Sequence, residues 1–421
     1  MRPTLFYIPH ELFGIPVFGL GWGLGLIVVV GILFAVAAAR KNLLGRFIEE
    51  QGVLMAIAAC IVVFLLPRIE ASFPDGTGAV WIAGLPIRGY GVMLMLGVLS
   101  AMAIALYRCK KAGIQQESFF SLATWSIVTG LAGARIFYVV QKWNELDGES
   151  LFDKLVTAFK VTEGGLVVYG GVIGGLVAIV LWARRNGQPL LPIADAVTPA
   201  FFIGLAFGRV GCLLNGCCYG GLCEQSLPAI QFPSGSPAYM DQMASGKLLG
   251  MVTNVGATED PDRLHRVDRI LSGSWAEENG VQLGENLIGI AEKQIDGPSR
   301  ENPYLPYIFE LDVATDQRRI RVAASQMPSS SLPVHPAQIY AALSGIVLCG
   351  WTLALAENSK RMGVVFGAGL VAYGVLRIIE EIIRVDEAGQ FGTSLSIAQW
   401  ISLGGILLGI GVLYRVLGVR S

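Results

Sequence analysis

The sequence predicts an all-α, polytopic membrane protein of about nine transmembrane helices that carries a small β-rich insert on the outer side of the membrane. The mean hydropathy is +0.58 and charged residues make up 15% of the chain, against about 25% in soluble domains. Nine apolar runs are long enough to cross a bilayer. One long polar stretch, 220–333, interrupts them.

The apolar runs alternate with basic and more acidic connections. The runs are residues 17–39, 47–66, 90–107, 119–140, 166–183, 192–215, 337–356, 363–383 and 395–417. Arg40, Lys110, Arg184, Arg361 and Arg415 mark the ends of every second connection. By the positive-inside rule these ends are cytoplasmic, which predicts an outer N-terminus and a cytoplasmic C-terminus. The net charge of −1 argues against nucleic acid as a partner.

The runs and the polar stretch divide the chain into four predicted segments. They are an added N-terminal helical hairpin (1–84), the first part of a membrane core (85–224), an exoplasmic insert (225–333) and the second part of the core (334–421). Residues 14–22 weakly resemble 84–92, so the first hairpin is interpreted as an addition or a duplication.

The insert has the pattern of a small β domain. Residues 267–290 predict a strand, a short helix, a glycine turn and a strand, and residues 309–313 and 319–323 predict a hairpin. This order resembles a bacterial PDZ domain, with residues 248–251 where the carboxylate-binding loop would fall. The resemblance implies a peptide ligand bound by strand addition. Another kind of small β-rich insert is the open alternative.

Two arginines lie in runs that otherwise read as lipid-buried helix. Arg209 lies in 201–215, and Arg377 lies in 363–383 near Tyr373 and Glu381. A cation at that depth costs a few kcal/mol or more and marks a cavity or an anionic ligand. Because arginine binds phosphate oxygens bidentately, the pair indicates a phosphate-bearing lipid. The alternative is a set of structural arginine–carboxylate bridges.

Further polar side chains lie at the outer ends of the predicted helices, which indicates a site that accepts a lipid headgroup from outside. They are Tyr90, Arg135, Tyr138, Tyr169, Asn215, His335, Gln338 and Arg384. For the glycine-rich run 164–175, close helix packing is an equally weighted alternative to a role in the site.

The motifs at these positions resemble the prolipoprotein diacylglyceryl transferase family. Residues 208–216 resemble the family signature, and 133–138, 165–174, 335–340 and 373–384 match further motifs in the family order over about 85–417. The resemblance implies transfer of the diacylglyceryl group of phosphatidylglycerol to the lipobox cysteine of preprolipoprotein signal peptides, with release of glycerol phosphate. It also implies a site in the bacterial cytoplasmic (inner) membrane, among membrane lipids.

Roles follow from the resemblance and from the chemistry of the side chains. Arg209 and Arg377 would stabilise charge on the leaving phosphate, and His335, Tyr169 and Glu381 are the candidate bases for the thiol. The predicted substrate-binding residues are Tyr90, Arg135, Tyr138, Asn215, Gln338, Tyr373 and Arg384. No cofactor and no metal is implied.

Four positions depart from the family pattern. Tyr169 stands where the family often has His, Cys212 and Cys217 stand where it commonly has Asn and Glu, and Ala341 replaces a carboxylate. The alternative function is therefore a catalytically inactive lipid- or peptide-binding membrane protein on the same scaffold. Transfer of a lipid unit to another acceptor is a third hypothesis.

Four of the seven cysteines cluster at the start of the insert. A disulfide from Cys217 or Cys218 to Cys223 is the favoured interpretation in an oxidising outer compartment. A catalytic thiol is less favoured, and a metal site is the least favoured because no histidine lies nearby.

Overall fold

The structure is a computed structural model that describes residues 3–40, 44–74, 80–143, 167–223, 228–253, 265–299, 302–384 and 395–418. Residues 146, 150, 153–154, 157–158, 165 and 393 are also described. The chain divides into two compact units, Met1–Val92 with Gly211–Pro336 and Met93–Val210 with Ala337–Ser421. The four segments predicted from the sequence stay a prediction.

The described chain is mostly helical. In chain order the helices are α1 (Trp22–Arg40), α2 (Leu44–Cys60), α3 (Gly89–Lys111), α4 (Gln116–Gln141), α5 (Val168–Arg185), α6 (Leu190–Asn215), α7 (Pro237–Ala244), α8 (Trp275–Glu278), α9 (Ala337–Asn358), α10 (Val364–Ile383) and α11 (Ile397–Gly418).

Seven helical stretches among the described residues are long and apolar enough to cross a membrane. They are α1, Gly52–Ile69, α3, α4, α6, α9 and α11. All seven coincide with predicted spans, which supports a multi-pass membrane protein. The other two predicted spans coincide with helices α5 and α10, and the total of nine transmembrane helices stays a prediction.

Helices α4 and α5 approach each other through glycine. A Cβ on Gly133 would lie 2.4 Å from the Gly170 carbonyl oxygen, and one on Gly174 would lie 2.3 Å from the Thr129 carbonyl oxygen. The Thr129 hydroxyl also donates to the Gly174 carbonyl oxygen at 3.1 Å. Only small residues allow backbones to come this close. Close packing is therefore confirmed as a role of the glycine-rich run.

Charged side chains tie together the ends of the core helices. The Gly363 and Phe366 N–H groups donate to the Asp195 carboxylate at 2.6 and 2.8 Å. A carboxylate in the apolar helix α6 thus caps the start of α10, where the helix dipole favours negative charge. Arg108 of α3 donates to Glu357 of α9 at 2.9 Å. The sequence analysis assigned no role to Asp195.

The N-terminal part of the first unit contains short strands that were not predicted. Strands β1 (Thr4–Ile8) and β4 (Ala71–Pro74) flank β5 (Val80–Arg88) in an antiparallel sheet, and β2 (Glu11–Leu12) pairs with β3 (Ile15–Pro16). Helices α1 and α2 lie between β3 and β4 in the chain.

The insert forms one antiparallel sheet. Its strands are β6 (Met251–Thr253), β7 (His265–Ile270), β8 (Asn286–Asp296), β9 (Ile308–Thr315) and β10 (Arg319–Val322), in the order β10-β9-β8-β7-β6. Helix α8 lies between β7 and β8, and β9 and β10 pair antiparallel. The predicted order of strand, short helix, strand and hairpin is confirmed. The resemblance to a PDZ domain stays a prediction.

The sheet of the insert covers a core of its own. Met243 of α7, Met251 of β6 and Val267 of β7 are fully buried in one apolar cluster. The buried Glu285 carboxylate pairs with Arg318, whose Nη2 lies 2.7 Å from Oε1. This core holds the insert as a folded body rather than a loop.

The glycine contact between α4 and α5 yields a matched pair of substitutions. Gly174→Ala should lower the free energy of unfolding by about 1–3 kcal/mol, because its Cβ overpacks the interface. Gly175→Ala is the control, since a Cβ there would lie 3.8 Å from the Ser126 carbonyl oxygen, an ordinary van der Waals distance. Thermal unfolding in detergent measures both. Equal stability of the two variants would contradict the proposed contact.

Candidate active site

Arg377 forms a buried ion pair within helix α10. Its Nη1 lies 2.5 Å from Glu381 Oε2, one helical turn further on, and the two residues are 8% and 6% exposed. The Ser396 hydroxyl donates to Glu381 Oε1 at 2.8 Å. Ser396 also accepts from the Gln399 N–H, while its own N–H donates to the Gln399 side chain. Ser396 and Gln399 thus form a capping box at the start of α11. The Ser396 hydroxyl also positions the Glu381 carboxylate that pairs with Arg377.

Arg209 is in a different electrostatic position. It lies half-buried in helix α6, and it forms no ion pair with the part of the chain that the structure describes. A guanidinium stays protonated at any accessible pH. Among the described residues, therefore, Arg209 offers a positive charge that no carboxylate neutralises.

Tyr373 lies among charged side chains. It is within electrostatic range of Arg209 and Arg377 and also of Glu380 and Glu381. The ring packs edge-to-face on Phe201, with centroids 6.0 Å apart, and against Phe202 at 5.9 Å. Charged groups of helices α6 and α10 therefore lie around a tyrosine that packs on two phenylalanine rings, and Arg209 is the cation among them without a carboxylate in an ion pair with it in the described part of the chain. An anionic headgroup with an acyl tail has complementary chemistry.

Arg135 binds the backbone of the segment that precedes α5. Its Nε donates to the Ala158 carbonyl oxygen at 2.7 Å, Nη2 to Thr157 at 2.8 Å and Nη1 to Gly165 at 3.1 Å. The guanidinium also lies over the Tyr138 ring, 5.1 Å from its centroid. Carbonyl oxygens thus solvate this cation. The sequence analysis did not foresee these partners, because no carboxylate or spacing marks them.

Gly165 fits the corner beside Arg135. Its φ of +78° lies in the left-handed region, and a Cβ would lie 2.5 Å from the Tyr138 ring and 2.8 Å from Arg135 Nη1. Glycine is therefore required here by both conformation and space.

The remaining predicted residues of the second unit lie at helix ends. Gln338 is 1% exposed in the first turn of α9, and the Arg384 N–H donates to the Glu381 carbonyl oxygen at the end of α10. Tyr169 lies in the first turn of α5, but its side chain is outside the described part of the chain.

Three predicted residues belong to the first unit. Tyr90 is 38% exposed at the start of α3. Asn215 is the last residue of α6. The His335 backbone pairs with residues 220–221, and its side chain is half-buried.

The cysteines do not adopt the predicted pairing. The Cys223 thiol donates to the Pro228 carbonyl oxygen at 4.0 Å, so the disulfide from Cys217 or Cys218 to Cys223 was wrong for this structure. The sulfur atoms of Cys212, Cys217 and Cys218 instead lie within 4.8 Å of one another.

The buried ion pair yields a charge-only substitution. Glu381→Gln keeps the size of the side chain but leaves the Arg377 charge uncompensated, so the free energy of unfolding should fall by about 3–5 kcal/mol. Glu380→Gln is the control on the adjacent residue, which is less buried than Glu381. Thermal unfolding of both variants in detergent checks this. An E381Q protein as stable as E380Q would contradict the role of the pair.

Comparison with known proteins agrees with the motif analysis. The family model described as prolipoprotein diacylglyceryl transferase matches residues 78–415. A phosphatidylglycerol--prolipoprotein diacylglyceryl transferase from Rhodopirellula baltica is 38% identical over 100% of this chain and 90% of its own. Proteins of the same name from Clostridium tetani and Bdellovibrio bacteriovorus are each 26% identical, over 78% and 77% of this chain and 93% and 87% of their own. The chain therefore belongs to the prolipoprotein diacylglyceryl transferase family.

Proposed function

We propose that this chain transfers the diacylglyceryl group of phosphatidylglycerol to the lipobox cysteine thiol of preprolipoproteins. Family membership and the names of the relatives support the reaction. The structural observation that carries it is Arg209, a half-buried cation in an apolar helix beside Tyr373 and a second arginine. Among the described residues it has no carboxylate partner, so a lipid phosphate is the complementary ligand.

The reaction sets the task of the arginines. The thiol sulfur attacks the glycerol carbon that carries the phosphate ester, a C–S bond forms and a C–O bond breaks. The thiol proton passes to a base, and the phosphodiester becomes a phosphate monoester with additional negative charge. Fixed guanidinium donors stabilise that charge as it develops, without the reorganisation that water would need.

The two arginines have different shares in this task. Arg377 already shares its charge with Glu381, so we assign the larger part of phosphate stabilisation to Arg209. Arg377 and Glu381 position the side of the site that helix α10 forms. Arg135 acts by holding Thr157, Ala158 and Gly165 in place. Tyr90, Tyr138, Asn215, Gln338, Tyr373 and Arg384 remain proposed substrate-binding residues.

His335 is the proposed base for the thiol. The free nitrogen of a neutral imidazole can accept the proton of a thiol. Glu381 is less suited, because Arg377 and Ser396 already occupy both of its oxygens. Tyr169 is less suited because a phenol ionises only near pH 10.

Substitution of Arg209 tests the function most sharply. Arg209→Ala should lower the rate of glycerol phosphate release from phosphatidylglycerol with a lipobox peptide by about 100-fold or more, because the leaving charge loses its main donor. Arg209→Lys should retain part of the rate, because the lysine ammonium keeps the positive charge but lacks the two parallel N–H donors with which arginine binds a phosphate. Arg184→Ala, at the exposed end of α5, is the control.

The outcome separates enzyme from binding protein. Wild-type protein that binds phosphatidylglycerol but releases no glycerol phosphate would favour the inactive alternative. An R209A variant with the rate of R184A would contradict the assigned role.

We further propose nine transmembrane helices, with the N-terminus and the insert outside and the C-terminus cytoplasmic. The basic ends of α3 and α5, which carry Lys110, Lys111, Arg184 and Arg185, support this orientation. A maleimide that cannot cross the membrane should label a cysteine introduced at exposed Glu292 of β8 in intact cells. Labelling only after lysis would show that the insert is cytoplasmic and would contradict this orientation.

We propose that the insert is PDZ-like and binds an extended peptide along β6. This strand ends the described sheet, and Leu248 and Leu249 are buried just before it. Gly250, at a φ of +92°, turns the chain into the strand. A peptide that adds to β6 gains backbone hydrogen bonds along the sheet edge.

Hydrogen exchange tests this peptide site without any substitution. A preprolipoprotein signal peptide should slow exchange at β6, because added strand pairing protects its outward N–H groups. The opposite end strand, β10, is the internal control. Unchanged exchange at β6 with saturating peptide would contradict peptide binding at this edge.

A further inference from the structure

The end of helix α6 brings two cysteines side by side. The Cys217 N–H donates to the Cys212 carbonyl oxygen at 3.1 Å, and the Gly216 N–H donates to the Leu213 carbonyl oxygen at 3.3 Å. Gly216 has a φ of +78°. These are the two hydrogen bonds and the left-handed glycine of a Schellman motif, in which the side chains at the positions of Cys212 and Cys217 regularly touch. Here that contact joins two thiols rather than two apolar groups.

Cys218 adds a third sulfur. Its φ of +59° is left-handed, an unusual conformation for a residue other than glycine. Such backbone strain occurs where the surrounding structure requires a particular side-chain direction. The three sulfur atoms lie within 4.8 Å of one another, and all three residues are half-buried.

We propose that Cys212, Cys217 and Cys218 form a three-sulfur binding site for a thiophilic d¹⁰ cation, Zn²⁺ or Cu⁺. Metal–sulfur bonds of about 2.3 Å place sulfur atoms about 3.8 Å apart in tetrahedral and about 4.0 Å apart in trigonal geometry. The sulfur separations of up to 4.8 Å exceed these values by about 1 Å at most. The site revises the sequence prediction, which named no metal.

The ligand chemistry selects the class of ion. Thiolates favour Cu⁺ and Zn²⁺ over Mg²⁺ and Ca²⁺, which take oxygen ligands. Each thiol that binds the metal releases its proton to solvent. Three sulfur ligands complete the coordination of Cu⁺, whereas Zn²⁺ takes a fourth ligand, which would be water or an incoming thiol. The site does not depend on the proposed transferase activity.

Metal retention is the direct test. The full-length protein, reduced with a phosphine and stripped with a chelator, is incubated separately with Zn²⁺ and with Cu⁺, desalted and measured by elemental mass spectrometry. At least one arm should retain about one ion per chain. Cys212→Ser, Cys217→Ser and Cys218→Ser should each reduce retention at least tenfold. Cys60→Ser in α2 and Cys349→Ser in α9 are the matched controls, which should retain the ion.

A second measurement needs no variant and so does not depend on their folding. The bound metal should protect Cys212, Cys217 and Cys218 of the wild-type chain from alkylation, as read by peptide mass spectrometry. Retention of neither ion, equal retention in C217S and C349S, or alkylation of the three thiols unchanged by metal would each overturn the site. A disulfide between any two of them in protein freshly extracted from the membrane would also overturn it.

Discussion

A guanidinium in an apolar membrane helix loses its hydrogen bonds to water and needs other polar partners in their place. This requirement constrains the arrangement of the core of the protein. Continuum estimates put the cost of such a charge at several kcal/mol. The second unit contains three arginines under this constraint. Arg377 is compensated by a carboxylate, and Arg135 by three backbone carbonyl oxygens. For Arg209 the described residues supply neither, and the function proposed above assigns this role to the phosphate of the lipid substrate.

The compensated arginines fix the elements on which they lie. The Ser396–Glu381–Arg377 chain joins α10 to the start of α11, and Tyr373 of α10 lies within electrostatic range of both Arg377 and Arg209. Arg135 anchors the segment before α5, which the glycine contact holds against α4. In the proposed reaction, donors held in place before the substrate binds would lower the free energy of the charged transition state.

The sequence predicted the parts of the structure that depend on local pattern. Apolar length located the helices, and the spacing of Arg377 and Glu381 already places them one turn apart on one helix face. The partners of Arg135 could not be predicted, because any backbone carbonyl can accept its hydrogen bonds. Strands β1 and β5 were missed since they are short and pair over about 80 residues of intervening chain.

The cysteines separate what local backbone geometry determines from what the chemistry of the compartment suggests. The predicted disulfide to Cys223 relied on compartment chemistry, whereas the observed grouping of Cys212, Cys217 and Cys218 follows from the local geometry of a helix that ends at glycine. Gly216 was visible in the sequence as a helix-ending residue. That this turn brings the two neighbouring thiols together could be recognised only from its hydrogen bonds.

A structure of the full-length protein with phosphatidylglycerol in a lipid nanodisc tests the central claim most directly. The account predicts that a phosphate oxygen lies within about 3 Å of the Arg209 guanidinium, while Arg377 keeps its ion pair with Glu381. A headgroup bound elsewhere, with Arg209 paired to a carboxylate of the chain itself, would contradict it.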